Sequence, residues 1–440
     1  MNNSNHRSKI LIVGRSAWTK DESTLSGIFS GFVPEQLAYL CIETRQPDFG
    51  RCHLHFQISE TAMIRRFVHW GIRTGEELTT VNDKVNRNNE RQEKAVLGYV
   101  RAHRSFTLLF MREILWRIGH WKTKELDEFI EAFQPDVVFC VGDPLPLMNR
   151  LQRYVIKKSG KPGIMFMMDD IWSYQACHGA IHHLYRWLLR CQVKPLVKLC
   201  KAHFAISPKM KHEYDDVFGI DCEILTKGIE AVSVNPTNVL HNPIKLVYTG
   251  NLLYGRLKTL SIIADAIRQL NSQYGYTRAI MHIYTQTQLS QVDELKLNIG
   301  GICEVHKPVK YDELTKVYAQ SDVVLFVESL EYRFKNIARL SFSTKLTDYM
   351  RSGKCIFAVG AKDVAPIEYL RETGIAAVCS SEDDIAKRLT SLLENTEEII
   401  GLGRKAFEYG QTHHGANIMT NKLKLVVNKL NDPSTNHTGS

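Results

Sequence analysis

Short apolar runs alternate with longer helical patterns from one end of this chain to the other, the signature of strand–helix–strand units around parallel sheets. Runs at residues 9–14 (KILIVG), 53–58 (HLHFQI), 136–142 (DVVFCVG), 163–168 (GIMFMM), 203–207 (HFAIS) and 222–226 predict strands of a first sheet. A second series at 244–250 (IKLVYTG), 279–284, 305–309, 323–327, 355–359 and 376–379 predicts another. A charged helical stretch is expected over 90–133 and a last strong helix over 419–430. Between the two series the chain turns polar at 233–242 (SVNPTNVLHN), with Pro236 and Pro243 bracketing an interdomain linker.

At 440 residues the chain exceeds one ordinary domain. The expected division is a first Rossmann-like domain over 1–235, a second over 236–415, a helix at 416–430 packing back on the first, and a disordered tail at 431–440. An apolar content of 44% supplies the cores, and no uncharged apolar run is long enough to span a bilayer. The opening MNNSNHRSKILIVG runs its short apolar stretch straight into Arg15, which argues against a secretory signal. Ten cysteines without a C-x-x-C pair, and without clustered His or Cys spacing, disfavour both a disulfide framework and a zinc site. A reducing, cytoplasmic setting fits, and there the sequons at Asn2 and Asn436 carry no glycan. No cofactor and no metal are expected.

Of the net charge of +9, residues 149–201 hold a local excess of +8, ten lysines and arginines against Asp169 and Asp170. Such a patch calls for an acidic partner: anionic lipid, a phosphate-bearing substrate or nucleic acid. No aromatic-rich recognition motif accompanies it, so nucleic acid is set aside.

The most informative segment is 341–360, SFSTKLTDYMRSGKCIFAVG, which predicts a polar turn, a short amphipathic helix, a glycine and a strand. Ser343, Thr344 and Lys345 open that helix, offering two hydroxyls and an ammonium at the end where backbone N–H groups favour an anion. In open parallel sheets ligands bind at the carboxyl ends of strands, where this turn falls, so it suits a diphosphate. Two features mark the first half: the small-residue stretch 24–31 (TLSGIFSG), read as a loop open to close ligand approach, and Asp169-Asp170 at the end of a buried strand.

KLVYTGNL opening the second half, STKLTDYMRSGKCIFAVG near its end, HFAISPKMKHEY before the linker and VYAQSDVVLFVES before the phosphate turn together resemble a GT-B glycosyltransferase of the group 1 (family 4-like) class. The resemblance covers most of the chain and is strongest from His203 to Val359. It implies two Rossmann-like α/β domains facing a cleft, a nucleotide-diphosphate sugar against the second domain, and an acceptor entering from the first. By matched position it implies donor contacts from Gly250, Asn251, Arg256, Lys258, Ser343, Thr344, Lys345 and Asp348. Where the family carries a Glu eight positions before its second one, this chain has Leu340, and Glu328 is the expected substitute. Ser26 and Gly27 are expected on the acceptor side. One carboxylate of Asp169 and Asp170 is expected to orient or deprotonate the acceptor hydroxyl, the other to cap the next segment, and the pattern does not choose between them. The resemblance also suggests retention of anomeric configuration.

Arg186, Arg190, Lys194 and Lys198 recur every four residues, with apolar neighbours such as Ile181, Leu184 and Leu188, and so predict a basic amphipathic surface for an anionic membrane holding a lipid-linked acceptor. Pro195 predicts a break into two short helices. Two other readings compete with a transferase in surface polysaccharide or glycolipid synthesis: a non-catalytic GT-B subunit, for which Leu340 speaks, and a nucleotide-sugar epimerase of the same fold, for which no carboxylate set is evident.

Overall fold

A computed structural model describes residues 7–19, 22–43, 47–78, 106–231 and 239–432. The chain forms two compact units, one comprising the residues up to Ile206, Met210–Leu225 and the chain from Thr420 onward, the other Ser207–Lys209 and Thr226–Met419. The tail at 433–440, much of the linker and the first part of the predicted long helix lie outside the described residues.

In the first unit eight strands make one sheet: β1 (Ile10–Val13), β2 (Leu37–Cys41), β3 (Leu54–Ile58), β4 (Gly75–Leu78), β5 (Val137–Val141), β6 (Gly163–Met167), β7 (Cys200–Ala205) and β8 (Cys222–Ile224). Their order is β4-β3-β2-β1-β5-β6-β7-β8, parallel except for the β3–β4 pair. The central strands β1 and β5 are buried along nearly their whole length, which is why they read as unbroken apolar runs. β4, sequence GEEL, exposes its two glutamates and escaped the apolar pattern for that reason. Below β4 the described part of the expected long helix is two helices, Phe106–Ile118 and Lys124–Phe133, the second capped by the Thr123 hydroxyl accepting from the Leu126 N–H at 3.2 Å.

Two expectations for this unit are corrected. Residues 24–31 are not an open loop: Ser23–Ile28 is helical, started by the Glu22 carboxylate accepting from the N–H groups of Thr24 and Leu25. Pro195 does not split its helix, which runs unbroken over Gly179–Leu199. An internal proline costs about 3 kcal/mol; the buried side chains of Tyr185, Leu189, Val193, Leu196 and Val197 offset it, at about 1.5–3 kcal/mol for each large apolar group buried.

The second unit has six parallel strands, β9 (Ile244–Thr249), β10 (Ala279–Tyr284), β11 (Cys303–His306), β12 (Val323–Val327), β13 (Cys355–Val359) and β14 (Ala377–Cys379), in the order β11-β10-β9-β12-β13-β14. β11 ends at His306 rather than reaching Val309, since Pro308 has no N–H for a ladder. The order reverses between β9 and β12, a topological switch point where the two crossovers diverge and leave a crevice past the strand ends. The helix Lys345–Ser352 packs over this region with Leu346, Tyr349 and Met350 buried, and the Tyr349 hydroxyl donates to the Leu325 carbonyl of β12 at 3.2 Å.

Candidate active site

At the switch point of the second unit the chain leaves β9 through Gly250. Its φ of +149° is one that side-chain-bearing residues rarely adopt, and a Cβ there would stand 2.1 Å from the Lys345 ammonium. The absence of a side chain at 250 is therefore what lets Lys345 reach in. Its Nζ donates to the Thr249 carbonyl at 2.7 Å and lies 5.5 Å from the centroid of the Tyr248 ring. Burial, with the neighbouring Arg256 guanidinium second, pushes the Lys345 ammonium down to about 8.

Arg256 starts the next helix, Arg256–Tyr274. Tyr254 and Gly255 before it both have positive φ, and a Cβ on Gly255 would stand 2.3 Å from the Ser329 hydroxyl, so the tight turn that aims Arg256 back at the strand ends needs this glycine. Its guanidinium donates from Nη2 to Glu328 at 2.7 Å, from Nη1 to Asn251 Oδ1 at 2.9 Å and from Nε to the Val327 carbonyl at 3.2 Å. Burial raises the Glu328 carboxyl while Arg256 opposes the rise. Two largely buried cations thus stand near Glu328, which pairs with Arg256, while Asp348, the other carboxylate acting on Lys345, is already paired with Lys227. That imbalance suits an incoming anion, which would supply the missing negative charge.

The structure brings together Gly250, Asn251, Arg256, Glu328 and Lys345, with roles more specific than the sequence could assign. Asn251 and Glu328 hold the Arg256 fork, so Glu328 is the counterion of Arg256 and not an unengaged sugar contact. Thr344 stands at the N-cap of the Lys345–Ser352 helix without capping it through its side chain, and Ser343 precedes it, its carbonyl accepting from Leu346 N–H at 3.0 Å. Asp348, one turn in, accepts from Lys227 Nζ at 2.5 Å and lies 3.5 Å from the Tyr311 hydroxyl. It lines a recess with Tyr311, Leu314, Thr315, Tyr318 and Arg351. Leu340 is wholly buried, so no ligand contact comes from its side chain.

Lys258 is a correction: two residues further along the helix, its ammonium points to Glu382 at 2.6 Å on the exposed surface. The helical turn from 256 to 258 carries it round to a different face.

In the first unit Asp170 takes the capping role that the sequence left open between it and Asp169. Its carboxylate accepts from the Trp172 and Ser173 N–H groups at 3.1 and 2.9 Å and from the Ser173 hydroxyl, a local turn cap. Asp169 is the exposed member of the pair. Ser26 lies inside a helix, its hydroxyl donating to Glu22 O at 2.6 Å and accepting from the Trp18 indole at 3.1 Å, and Gly27 is helical beside it. The basic stripe divides as well. Arg186 is buried and donates to the Asp170 carbonyl at 2.6 Å, and Arg190 lies over the rings of Trp172 and Tyr174, at 4.0 and 4.7 Å from their centroids. Lys194 and Lys198 remain exposed.

The first sheet has its own switch point, between β1 and β5, and there sequence reading missed a cluster. Arg15 Nε lies 3.3 Å from Glu43 Oε1 and 3.5 Å from Asp143 Oδ2, while the Ser16 hydroxyl donates to Glu43 at 2.8 Å. Burial raises the Asp143 carboxyl against the pull of Arg15. The available signal was position alone: each residue closely follows the end of a buried parallel strand.

Residues 243–395 match the family profile of glycosyl transferases group 1. No curated protein is similar enough in sequence to match. Among solved structures, HepE from Anabaena in complex with UDP and glucose superposes with a TM-score of 0.62 at 10% identity, covering 96% of this chain and 100% of that one. Sucrose-phosphate synthase from Thermosynechococcus elongatus does so with a TM-score of 0.59 at 11% identity, covering 96% and 99%. At these identities the likeness shows the fold, which is GT-B. Among the described residues no helix is long and apolar enough to cross a membrane.

Proposed function

We propose that this chain, which carries a group 1 glycosyltransferase domain over residues 243–395, transfers a sugar from a uridine diphosphate donor to a glycan or lipid-linked acceptor, with retention of configuration. The observation that carries the reading is the pair of cations, Lys345 and Arg256, at the second switch point. Glu328 is paired to Arg256 and Asp348 to Lys227, so that among the described residues Lys345 has no carboxylate of its own in ion-pair contact. A donor diphosphate there receives both, together with the N-terminal dipole of the Lys345–Ser352 helix. Charge develops on the diphosphate as the glycosidic bond to the sugar breaks, and preorganised cations stabilise that charge without reorganising; one such donor is worth about 2.7–4 kcal/mol. HepE, of the same fold, binds UDP and glucose, which supports uridine as the base. Retention is what the resemblance to the group 1 class implies; Glu328 is committed to Arg256, so it is not placed as the nucleophile of a double displacement.

The acceptor is assigned to the first unit, where Asp143, its proton affinity raised by burial, receives the hydroxyl proton and Arg15 with Glu43 fixes its position. The exposed Lys194 and Lys198, on the same helix as the exposed Ile181, Leu184 and Trp187, support contact with an anionic membrane. Calorimetric titration with UDP tests the donor half: binding to the wild type and its loss in Lys345→Ala is the expected result, and equal affinities for the two would overturn it. A panel of UDP-sugars scored for transfer and hydrolysis tests the enzymatic half. Leu340 in place of the family's Glu favours the second reading, a subunit that binds nucleotide without transferring, and UDP binding with no turnover on any donor would select it.

A further inference from the structure

The parallel register of β10 and β11 sets His282 opposite Glu304 and Tyr284 opposite His306. Residues two apart on a strand share a face, so all four side chains stand on one side of the sheet. There His282 Nδ1 lies 3.0 Å from His306 Nε2, and Glu304 Oε2 lies 3.4 Å from the first and 3.6 Å from the second. The Tyr284 ring stacks on His306 at 4.7 Å with an interplanar angle of 22°, which holds the imidazole plane.

The triangle has the dimensions of a metal site. Zinc bound tetrahedrally at about 2.0–2.1 Å separates its ligand atoms by about 3.3 Å, the tetrahedral edge for that bond length. The three observed edges straddle this value. Hydrogen bonding alone accounts for them less well. One proton shared between the two imidazoles satisfies the 3.0 Å edge, whereas the carboxylate stands beyond the usual 2.7–3.2 Å for N–H···O on both others.

We propose that His282, Glu304 and His306 form a binding site for a divalent transition-metal ion of the zinc class, clipping the edge strand β11 to β10 and leaving the fourth position to water. The donor set of two imidazoles and a carboxylate matches zinc's preference for nitrogen and oxygen ligands. Access exists because β11 is the edge of its sheet and the three side chains are 22%, 42% and 34% exposed in chain order. The nearby Lys245 ammonium opposes the ion, partly offsetting the carboxylate.

The full chain, stripped with a chelator and dialysed, is titrated with Zn2+ and the retained metal counted. One equivalent and a higher melting temperature are expected for the wild type, and neither for Glu304→Gln or His306→Ala. Glu304→Gln is nearly isosteric on a half-exposed strand, so it keeps the test valid if the histidine variant fails to fold; circular dichroism in chelator checks both. Substituted Co2+ should show tetrahedral ligand-field bands and no thiolate charge-transfer band, and Cys191→Ser, which removes an exposed thiol, should retain the metal. No retained equivalent in the wild type, an equivalent retained by a folded Glu304→Gln, or a thiolate band would each overturn the site. UDP affinity measured with and without Zn2+ keeps this result separate from the donor assignment.

Discussion

The switch points of the two sheets occupy equivalent places in two similar topologies and carry opposite charge balances. Past β9 and β12 stand two cations, Lys345 and Arg256, with Glu328 paired to Arg256 and Asp348, which also acts on Lys345, paired to Lys227. Past β1, β2 and β5 stand two buried carboxylates, Glu43 and Asp143, with Arg15 between them and Arg112, itself paired with Glu60, acting on both from further off. An excess of buried cations favours an anionic ligand; an excess of buried carboxylates favours hydroxyl groups and a proton acceptor. On the function proposed above, the same architecture would divide donor from acceptor work through a handful of side chains at strand ends, while the strands themselves only set the spacing.

The harshest way to break this division is Arg256→Ala. Transfer efficiency is expected to fall about 10²–10³-fold, the loss typical of a preorganised donor to transition-state charge. The substitution also strands Glu328, and breaking a buried pair costs about 3–5 kcal/mol of stability. Arg256→Ala combined with Glu328→Gln should recover much of that stability in a melting experiment without recovering transfer. Recovery of both would make Arg256 a structural residue only.

Asp143→Asn sharpens the other side. Transfer at saturating donor should drop by about a hundredfold, the lower end of what a general base contributes, while UDP affinity stays within about twofold of wild type. A matching loss of UDP affinity would erase the distinction between the two clusters.

Sequence reading reached most strands because strands buried on both faces are continuous apolar runs; it missed β4 because GEEL faces water at its middle positions, and it also missed β2, although that strand is buried throughout. It reached Lys345 because a cation at a helix start is locally encoded, and Gly250 and Arg256 through the resemblance to the family's donor positions. It misplaced Lys258 because the face that a residue presents depends on where the helix begins, and it left open which of Asp169 and Asp170 caps the next segment because a turn cap and a base look alike as single letters. Ser26 and Gly27 were read as loop since the Glu22 carboxylate that starts their helix lies outside the small-residue stretch. Arg15, Glu43 and Asp143, like His282, Glu304 and His306, are assembled across strands far apart in the chain. Of all these, only the E-x-H spacing of Glu304 and His306, two residues apart on one strand face, was present locally.

Gly250→Ala probes the cation cluster without altering its charge. The new methyl group would occupy the position of the Lys345 ammonium, so the lysine must swing away, and the φ of +149° adds backbone strain. UDP affinity should fall about tenfold, close to the worth of one charged hydrogen bond, and the fold should survive. Unchanged affinity would mean that Lys345 does not need this position.

The pH response separates ligand binding from stability. Lys345 sits near 8, below the ordinary lysine value, so above that pH it loses the proton that an anion needs, and UDP affinity should decline by up to about tenfold per unit. Stability of the free protein moves the other way over the same window: between about 8 and the ordinary lysine value of 10.5 the unfolded chain binds more protons at this residue than the folded one, so this term raises stability as pH rises. Lys345→Arg, charged throughout, should flatten the affinity profile. A decline that persists in that variant would assign the titration elsewhere.

The smallest expected effect is at Lys258, and its smallness is the point. Lys258 and Arg256 are two residues apart on one helix, both basic and both matched to the family's donor positions, yet Arg256 is buried against Glu328 whereas Lys258 pairs with Glu382 in solvent. Exposed pairs contribute little and are screened by salt, so Lys258→Ala should leave UDP affinity and melting temperature within about twofold and about one degree of wild type. If instead Lys258→Ala weakened UDP as strongly as Arg256→Ala, the charge that matters would be the long-range field of this helix start, and the buried cluster at the switch point would lose its special standing.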